Sequence, residues 1–452
     1  MSSLYVIFIE EILEKAMERA LDLGAEDFSG WGGRGQSFIT RFSNNLITVT
    51  KFYDISTMNF YIGYKRRRTL ARIDEIDEKV ALGKIEEMIR TAKNMKPSKF
   101  YTRLPSGDIE YNPPPGRYDP KMIDLDEKNI DIVEGAINSA LESGARKVSG
   151  VLASSAEKNL LITSGGRRGE YRSSEIALNV RAFRDGESSG HGVAVSTYLD
   201  GLDYEGAGEK AGSLSKMAEK PKVVKPGVYD ALLSPVVMAD LLSAVSMGTS
   251  AFYVESGLSP FEGKIGEKVL DEKLTICDDP TIEGNPGAVP FDVEGTPTRS
   301  VTMIKRGVLE TYCHNSSTAE KYGVESTGHA GVIVPLARSV VVEPGEVKEE
   351  DMMRELGDGV YVTNTWYTRF QNYKTGEFSS IPRDAAFMVE KGEIKHPVKG
   401  MRISDSLMRM LKSIRNLSEE RSWVRLWGQE LPALTPSFTI EKLNITTGHS
   451  RV

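Results

Sequence analysis

Apolar residues along this chain recur with two periods, one helical and one strand-like, and the changes between them mark out its elements. Ile12, Ala16, Ala20 and Leu21 fall at helical spacing and predict a helix closed by Gly24. Ile132, Ala136, Ile137 and Ala140 do the same ahead of Gly144. Glycine after the last turn takes the left-handed cap conformation without steric cost. The two segments are copies: Ala20, Leu21, Gly24, Ala25, Ser29 and Gly30 match Ala140, Leu141, Gly144, Ala145, Ser149 and Gly150 at a constant offset of 120 residues. A Gly/Arg run follows each helix, Gly32-Gly33-Arg34-Gly35 and Gly165-Gly166-Arg167-Arg168-Gly169, and reads as a turn. Strand-like alternation surrounds these runs at 37–42, 45–51, 58–64, 160–163 and 177–184. Neither run matches a P-loop or a dinucleotide fingerprint, so phosphate cradling is disfavoured. The first half is therefore read as a helix-plus-strands repeat, with copies over about 9–70 and 128–185.

Prolines punctuate the rest. Pro105 and Pro113 to Pro115 place neither a helix nor a central strand in 100–120, which reads as an ordered crossing between the copies. Pro221 and Pro226 mark a change of domain near 222, giving an N-terminal domain 1–222 and a C-terminal domain 223–452. In the second half Ser234-Pro235 is a helix start, followed by Met238, Leu241, Leu242 and Val245 on one face. Leu407, Met410, Leu411 and Ile414 predict a further helix over 404–414. Strands are expected at 268–276, 298–304, 331–342 and 385–390. Helices and strands do not alternate strictly, so the expected fold class is a two-part α+β architecture with a mixed C-terminal half, not a parallel Rossmann sheet.

Composition narrows the function classes. A chain of 452 residues accommodates roughly two to four domains. Lys plus Arg is 57 against 64 Asp plus Glu, a net charge of −7, which argues against a general nucleic-acid clamp but leaves room for a local basic patch. Two cysteines, Cys277 and Cys313, exclude a disulfide framework. The five histidines are scattered, no two of them three to five residues apart, so a helical two-histidine metal motif is absent. The apolar run 4–9 is short, lacks a basic flank and is followed by acids, unlike a secretory leader. No window approaches the ~18 apolar residues of a membrane helix, and a cytoplasmic protein is expected.

Four places could carry chemistry. Asp292 and Glu294 lie two residues apart in a Pro/Gly-rich loop, 290–298, as an acid/base pair, hard-cation ligands, or carboxylates of a solvated loop that cap backbone N–H groups. Cys313-His314 suggests a nucleophile, but adjacent side chains on a strand face opposite ways, which favours a packed cysteine and a surface histidine. Lys65 to Arg68 could meet nucleic acid or an acidic partner, or simply solvate a strand end and discourage edge pairing. Trp366, Tyr367, Phe370, Tyr373 and Phe378, with Arg369 and Arg383, suit either a peptide groove or core packing. Composition and spacing alone stop at a soluble two-part α+β protein without a convincing active site.

Several ordered blocks carry a resemblance. Residues 290–298 (PFDVEGTPT), 304–309 (IKRGVL), 326–328 (STG), 389–394 with Pro397-Val398, and Thr435-Pro436-Ser437 resemble the TldD/PmbA family, also called modulator of DNA gyrase. That resemblance implies a two-part α+β subunit of a cytoplasmic, two-subunit metallopeptidase that digests unfolded peptides. TldD-type chains of the family carry a zinc-binding HExxxH helix and a late cysteine. Counting back from 263–267, the motif falls here on Leu242, Ser243 and Met247, none of which suits zinc. No cysteine follows Cys313, and the late region reads Leu426-Trp427-Gly428. The chain thus resembles the TldE/PmbA-type subunit: no catalytic, cofactor or metal residues of its own, zinc in a TldD-type partner, a heterodimer with that partner, and an unfolded peptide as substrate. A homodimer of the isolated chain stays open. Asp292, Glu294, Thr298, Arg299, Arg369 and Arg383 are the residues expected along a peptide groove or partner interface. Two alternatives stand beside this: a self-standing hydrolase using Asp292, Glu294 or Cys313, and a binding modulator of a DNA-processing enzyme.

Overall fold

The computed structural model of the chain describes residues 3–447, with side chains from Phe8 on, apart from 124, 126, 332, 427, 429 and 430. Helix α1 (Ser3–Asp22) ends at the predicted glycine: Gly24 has φ +91° and turns the chain into strand β1 (Asp27–Ser43). Strands β2 (Leu46–Tyr64) and β3 (Arg67–Ile73) and helix α2 (Glu78–Asn94) complete the first unit. The second repeats it: α3 (Lys128–Glu142), Gly144 at φ +119°, β4 (Lys147–Thr163), β5 (Arg168–Phe183), β6 (Ser189–Ser196) and α4 (Tyr204–Met217). All six strands form one antiparallel sheet in the order β3-β2-β1-β4-β5-β6. Equivalent strands β1 and β4 lie side by side and antiparallel at its centre, so a local two-fold axis relates the copies.

Alternation decides which face of this sheet does what. Phe28, Phe38, Phe60, Leu152 and Leu178, all even-numbered on the central strands, are buried beneath the four helices. Odd-numbered positions on β4 and β5 are mostly polar: Ser155, Glu157 and Asn159, then Tyr171, Ser173 and Glu175. The run Gly32 to Gly35 is not a turn but the middle of β1. A Cβ at Gly33 would lie 2.5 Å from Asn159 Oδ1, and one at Gly35 would lie 2.4 Å from Glu157 Cγ. Glycine on β1 therefore lets the polar side chains of β4 lie across it. The run 165–169, which is not the equivalent of 32–35 in the second copy, does form the β4–β5 turn, with Gly166 at φ +87°. At the β2–β3 turn, Lys65 and Arg66 both have positive φ, the conformation of a tight hairpin. Arg66 and Arg67 donate to carbonyls of Ser98, Lys99 and Met95, so half of the basic run staples the exit of α2.

A second, mixed sheet follows. Its elements are β7 (Lys222–Val223), β8 (Gly227–Leu233), α5 (Pro235–Gly248), α6 (Ala251–Glu255), β9 (Ile276–Asp278), β10 (Val301–Lys305), β11 (Val308–Leu309), α7 (Ser316–Tyr322), β12 (Val340–Val342) and α8 (Glu349–Leu356). Then come β13 (Gly359–Val362), β14 (Trp366–Asn372), β15 (Glu377–Ile381), β16 (Ala386–Glu390), β17 (Glu393–Lys399), β18 (Met401–Ser406), α9 (Leu407–Met410), β19 (Ile414–Val424) and β20 (Ala433–Thr447). The long β20 is its hub, paired with β8, β12, β18 and β19. Pairs β12/β20, β13/β8 and β17/β7 are parallel and the others antiparallel, which confirms the α+β class.

Helix α5 begins at the predicted Ser234, whose hydroxyl accepts the Val237 N–H, with Pro235 in the first turn. Further expectations need correcting. Of the strand expected at 268–276 only Ile276 lies in a strand, at the start of β9; the residues before it form turns, with one isolated bridge from Lys268 to Val308. The stripe Leu407, Met410, Leu411 and Ile414 is buried as read, but only 407–410 is helical; the rest belongs to strands and a turn. Of the strand expected at 331–342, only Val340–Val342 forms. Among the described residues, 333–339 are loop, and Arg338 and Ser339 bond within the site below. Among the described residues no helix is long and apolar enough to cross a membrane.

Candidate functional site

The polar face of the first sheet is covered by loops of the second part. The acidic loop 290–298 docks there through backbone carbonyls: Ser29 Oγ donates to Val293 O at 2.6 Å, while Tyr111 Oη (2.7 Å) and Arg167 Nη1 (2.6 Å) both donate to Gly295 O. Phe291 inserts between Tyr111 and Tyr171, ring centroids at 4.5 and 5.5 Å. Gly169 makes room for it, since a Cβ there would lie 2.4 Å from Phe291. The proline-rich segment runs along the same junction, Arg117 Nε reaching Ala288 O at 3.0 Å.

Both acids of the loop are buried. Asp292 directs its carboxylate to backbone: Oδ1 accepts the N–H groups of Glu294 and Thr296, and Oδ2 that of Ala330, each at 2.9 Å. Burial raises its pKa and these bonds oppose the rise. Glu294 accepts the N–H (2.9 Å) and hydroxyl (2.5 Å) of Ser316 at the start of α7. Burial, then the charge of Asp292, pushes its carboxyl above the usual range, with Ser316 opposing. Both acids therefore cap backbone N–H groups, as one reading expected, but from buried positions and not from a solvated loop. Thr298 also donates inward, to Val289 O, whereas exposed Arg299 reaches Ser326 O at 3.1 Å.

Sequence reasoning missed a buried polar chain beside this loop. Asp278 on β9 accepts from Ser339 N–H and Oγ, from Arg338 N–H at 2.7 Å, and contacts His329 Nε2 at 3.0 Å. His329 Nδ1 lies 2.9 Å from Thr327 Oγ1. The order acid–imidazole–hydroxyl has the form of a hydrolytic triad, but Thr327 Oγ1 donates to His314 O at 3.1 Å and accepts the His314 N–H at 2.7 Å, and all three residues are buried. It is a structural strut. Burial pushes the Asp278 carboxyl up, and His329, Arg338 N–H and Ser339 more than reverse it, leaving it below the ordinary value. His314, expected on the surface, is buried, and burial lowers its pKa to about 4. Cys313 is the packed thiol anticipated, raised by burial to about 12, its sulfur 3.6 Å from that of Met303. A thiol so held is a poor nucleophile.

Between sheet and loops lies a cleft of about 480 Å³, lined by Arg117, Glu157, Tyr171, Glu175, Arg338 and Arg425 among others. A smaller space of about 190 Å³ adjoins it, sharing Asn159, Tyr171, Val289 and Arg338 and reaching Trp31 and Asp292. Burial raises the pKa of Glu157, against the pull of Arg117 and Asn159. Burial lowers that of Arg117, against Glu175 and Glu157. Alternation in β4 and β5 shows that these residues share a face; nothing in the sequence shows that the face is covered.

Arg369 and Arg383 belong elsewhere, on and beside the β14–β15 hairpin. Arg383 stacks on Trp366 at 5.1 Å and Arg369 over Tyr367 at 6.0 Å. The aromatic cluster divides: Phe378 is buried, while Tyr367 and Tyr373 are 61% and 44% exposed. Packing accounts for Phe378, while Tyr367 and Tyr373 stand on the surface. The hairpin faces α5, where Thr365 and Thr368 hydroxyls donate to Asp240. Leu242 is wholly buried, Ser243 Oγ donates to its own helix at Asp240 O (2.7 Å), and Met247 lines a narrow apolar crevice with Phe370 and Tyr373. Of the late region, Trp427 lies outside the described residues.

Two family models match this chain: the PmbA/TldA metallopeptidase C-terminal domain over 226–447 and the central domain over 118–218. Together they account for more than two thirds of its length. A metalloprotease of Methanothermobacter thermautotrophicus is 26% identical over 252 residues, 54% of this chain and 55% of that protein, so the match spans about half of that relative. Metalloprotease PmbA of Escherichia coli O157:H7 is 24% identical over 94% of this chain and 96% of its own. The crystal structure of TldE from Thermococcus kodakarensis superposes with a TM-score of 0.84 at 21% identity, covering 96% of this chain and 100% of the other, which establishes the shared fold. The relatives' names imply a metal. Among the described residues no three His, Cys, Asp or Glu are placed to hold one, and the donor set Leu242, Ser243 and Met247 does not fit such an ion.

Proposed function

The chain belongs to the PmbA/TldD metallopeptidase family, and from that premise we propose that it acts as the non-catalytic subunit of a two-subunit peptidase. Its partner is a chain of the same family bearing HExxxH, which holds the zinc and performs hydrolysis. This chain helps enclose and position an unfolded peptide, and the assembly works in the cytoplasm. The observation that carries the reading is the state of α5. The helix that could present metal ligands buries Leu242 in the core, turns Ser243 back on its own backbone, and packs Met247 against aromatic rings. A zinc site needs three protein donors and an open position, and these side chains supply no nitrogen or thiolate. The exposed aromatics and arginines of the β14–β15 hairpin are chemically suited to an interface or an extended peptide.

The test uses the purified chain, zinc and an unfolded peptide. Expected: no turnover by this chain alone, and turnover when an HExxxH-bearing family member is added, the two co-eluting as one species. Turnover by the chain alone that persists after removal of trace protease overturns the proposal.

A further inference from the structure

The cleft between the first sheet and the 286–298 and 331–338 loops has the volume of a small-ligand site, about 480 Å³. Its charges are uneven. Three arginines, Arg117, Arg338 and Arg425, face two glutamates, Glu157 and Glu175. Two of the arginines are occupied: Arg117 donates to the carbonyls of Ala288 and Ser174, and Arg425 pairs with Glu175 at 3.4 Å. Arg338 is not. Its main chain is held by Asp278, but its Nε is buried without a partner and its Nη2 reaches only Ala330 O at 3.4 Å. Its charge attracts that of Asp292 in the adjoining space, but the two form no ion pair, because Asp292 directs both oxygens to backbone N–H groups. An arginine fork with an unpartnered, buried donor is strongly short of an acceptor, and a planar carboxylate matches it. Tyr171, whose ring lies against Phe291, and Glu157 line the same cleft.

We propose that this cleft binds the free α-carboxylate of a short peptide or an amino acid, with Arg338 taking the carboxylate, Tyr171 a second donor to it, and Glu157 accepting an ammonium group. The proposal deepens the peptide-handling role above and rests on it for the class of ligand. The site lies apart from α5, which contributes no side chain to this cleft's lining.

Calorimetry on the isolated chain decides it, with trialanine, trialanine amide and free alanine as probes. Trialanine binds, and amidation weakens it about tenfold, the loss of one charge-assisted pair. Alanine equal to trialanine marks an amino-acid site; alanine about tenfold weaker marks a peptide end; both support the carboxylate site. Arg338→Gln abolishes the difference between acid and amide, and Tyr171→Phe, which keeps the ring, weakens the acid severalfold. Should Arg338→Gln fail to fold, the acid-to-amide comparison on the natural chain still decides. Equal binding of acid and amide, or no binding of trialanine at about 5 mM, overturns the cleft. Partner-dependent turnover that persists in that case leaves the subunit role standing; its absence together with tight trialanine binding removes the role and keeps the site.

Discussion

Acidification should loosen the joint between the two parts of the molecule, and His191 is where the effect concentrates. It lies buried on β6 with Nδ1 3.3 Å from Asn364 Nδ2. The same Asn364 donates to Asp384 at 2.6 Å, and Asp384 pairs with Arg181 of β5 at 2.6 Å. Burial lowers the His191 pKa to about 4; Asp384 opposes the drop, and Arg181, Lys210 and Arg383 add to it. The folded value thus lies below the ~6.5 of an unfolded histidine, so the unfolded chain binds the extra proton between these limits. The stability it contributes is complete above pH ~6.5 and is lost as pH falls toward 4. A displacement of this size corresponds to about 3 kcal/mol at the acid limit and about 2 kcal/mol at pH 5. His191→Gln stays neutral throughout and retains an amide for Asn364. Urea unfolding at pH 7.5 and 5, followed by tryptophan fluorescence, should show the natural chain losing about 2 kcal/mol more than the variant. His314, lowered in the same direction, and Glu294, raised in the opposite one, are present in both proteins and cancel. Parallel losses in the two proteins would refute the assignment.

Gly33→Ala places a Cβ 2.5 Å from the Lys158 carbonyl and should cost about 1–3 kcal/mol, whereas Gly83→Ala, in open space on α2, should gain up to ~1 kcal/mol; thermal melts of the pair separate crowding from a general glycine effect. Asp278→Asn replaces an acceptor that serves Ser339, Arg338 and His329, and should cost about 3 kcal/mol or more, read as a lowered urea midpoint at pH 7. Introducing HExxxH by Leu242→His, Ser243→Glu and Met247→His puts a polar ring where Leu242 is wholly buried; a loss of at least ~2 kcal/mol is expected, and an unchanged melting temperature would show that this face of α5 is open.

Periodicity was a good guide wherever one element buries one face. The repeat, the glycine caps at Gly24 and Gly144, and the start of α5 at Ser234 all follow from local chemistry that the chain carries within a few residues. The 404–414 stripe shows where that guidance ends. Leu407, Met410, Leu411 and Ile414 are all buried, yet β20 offers strand pairing to both 401–406 and 414–424, and only one helical turn survives between them. Burial was readable there and conformation was not, because the competing partner lies in a distant strand.

The candidate site repeats that lesson with chemistry in place of secondary structure. Asp292 and Glu294 looked functional because two carboxylates stand close together in a Pro/Gly loop. In the structure their oxygens take donors far along the chain, Ala330 and Ser316, which tie both side chains into the loop framework. Conversely, Arg117, Glu157, Tyr171 and Arg338 carry no shared motif and span more than two hundred residues, yet they meet in one cleft. What joins them is the glycine run of β1. A strand without side chains at 33 and 35 lets Asn159 and Glu157 lean across it, and Gly169 opens the slot that receives Phe291. Phe291 in turn sets the loop that covers the polar face. Residues without side chains therefore shape the cleft, and a search for functional groups passes over them.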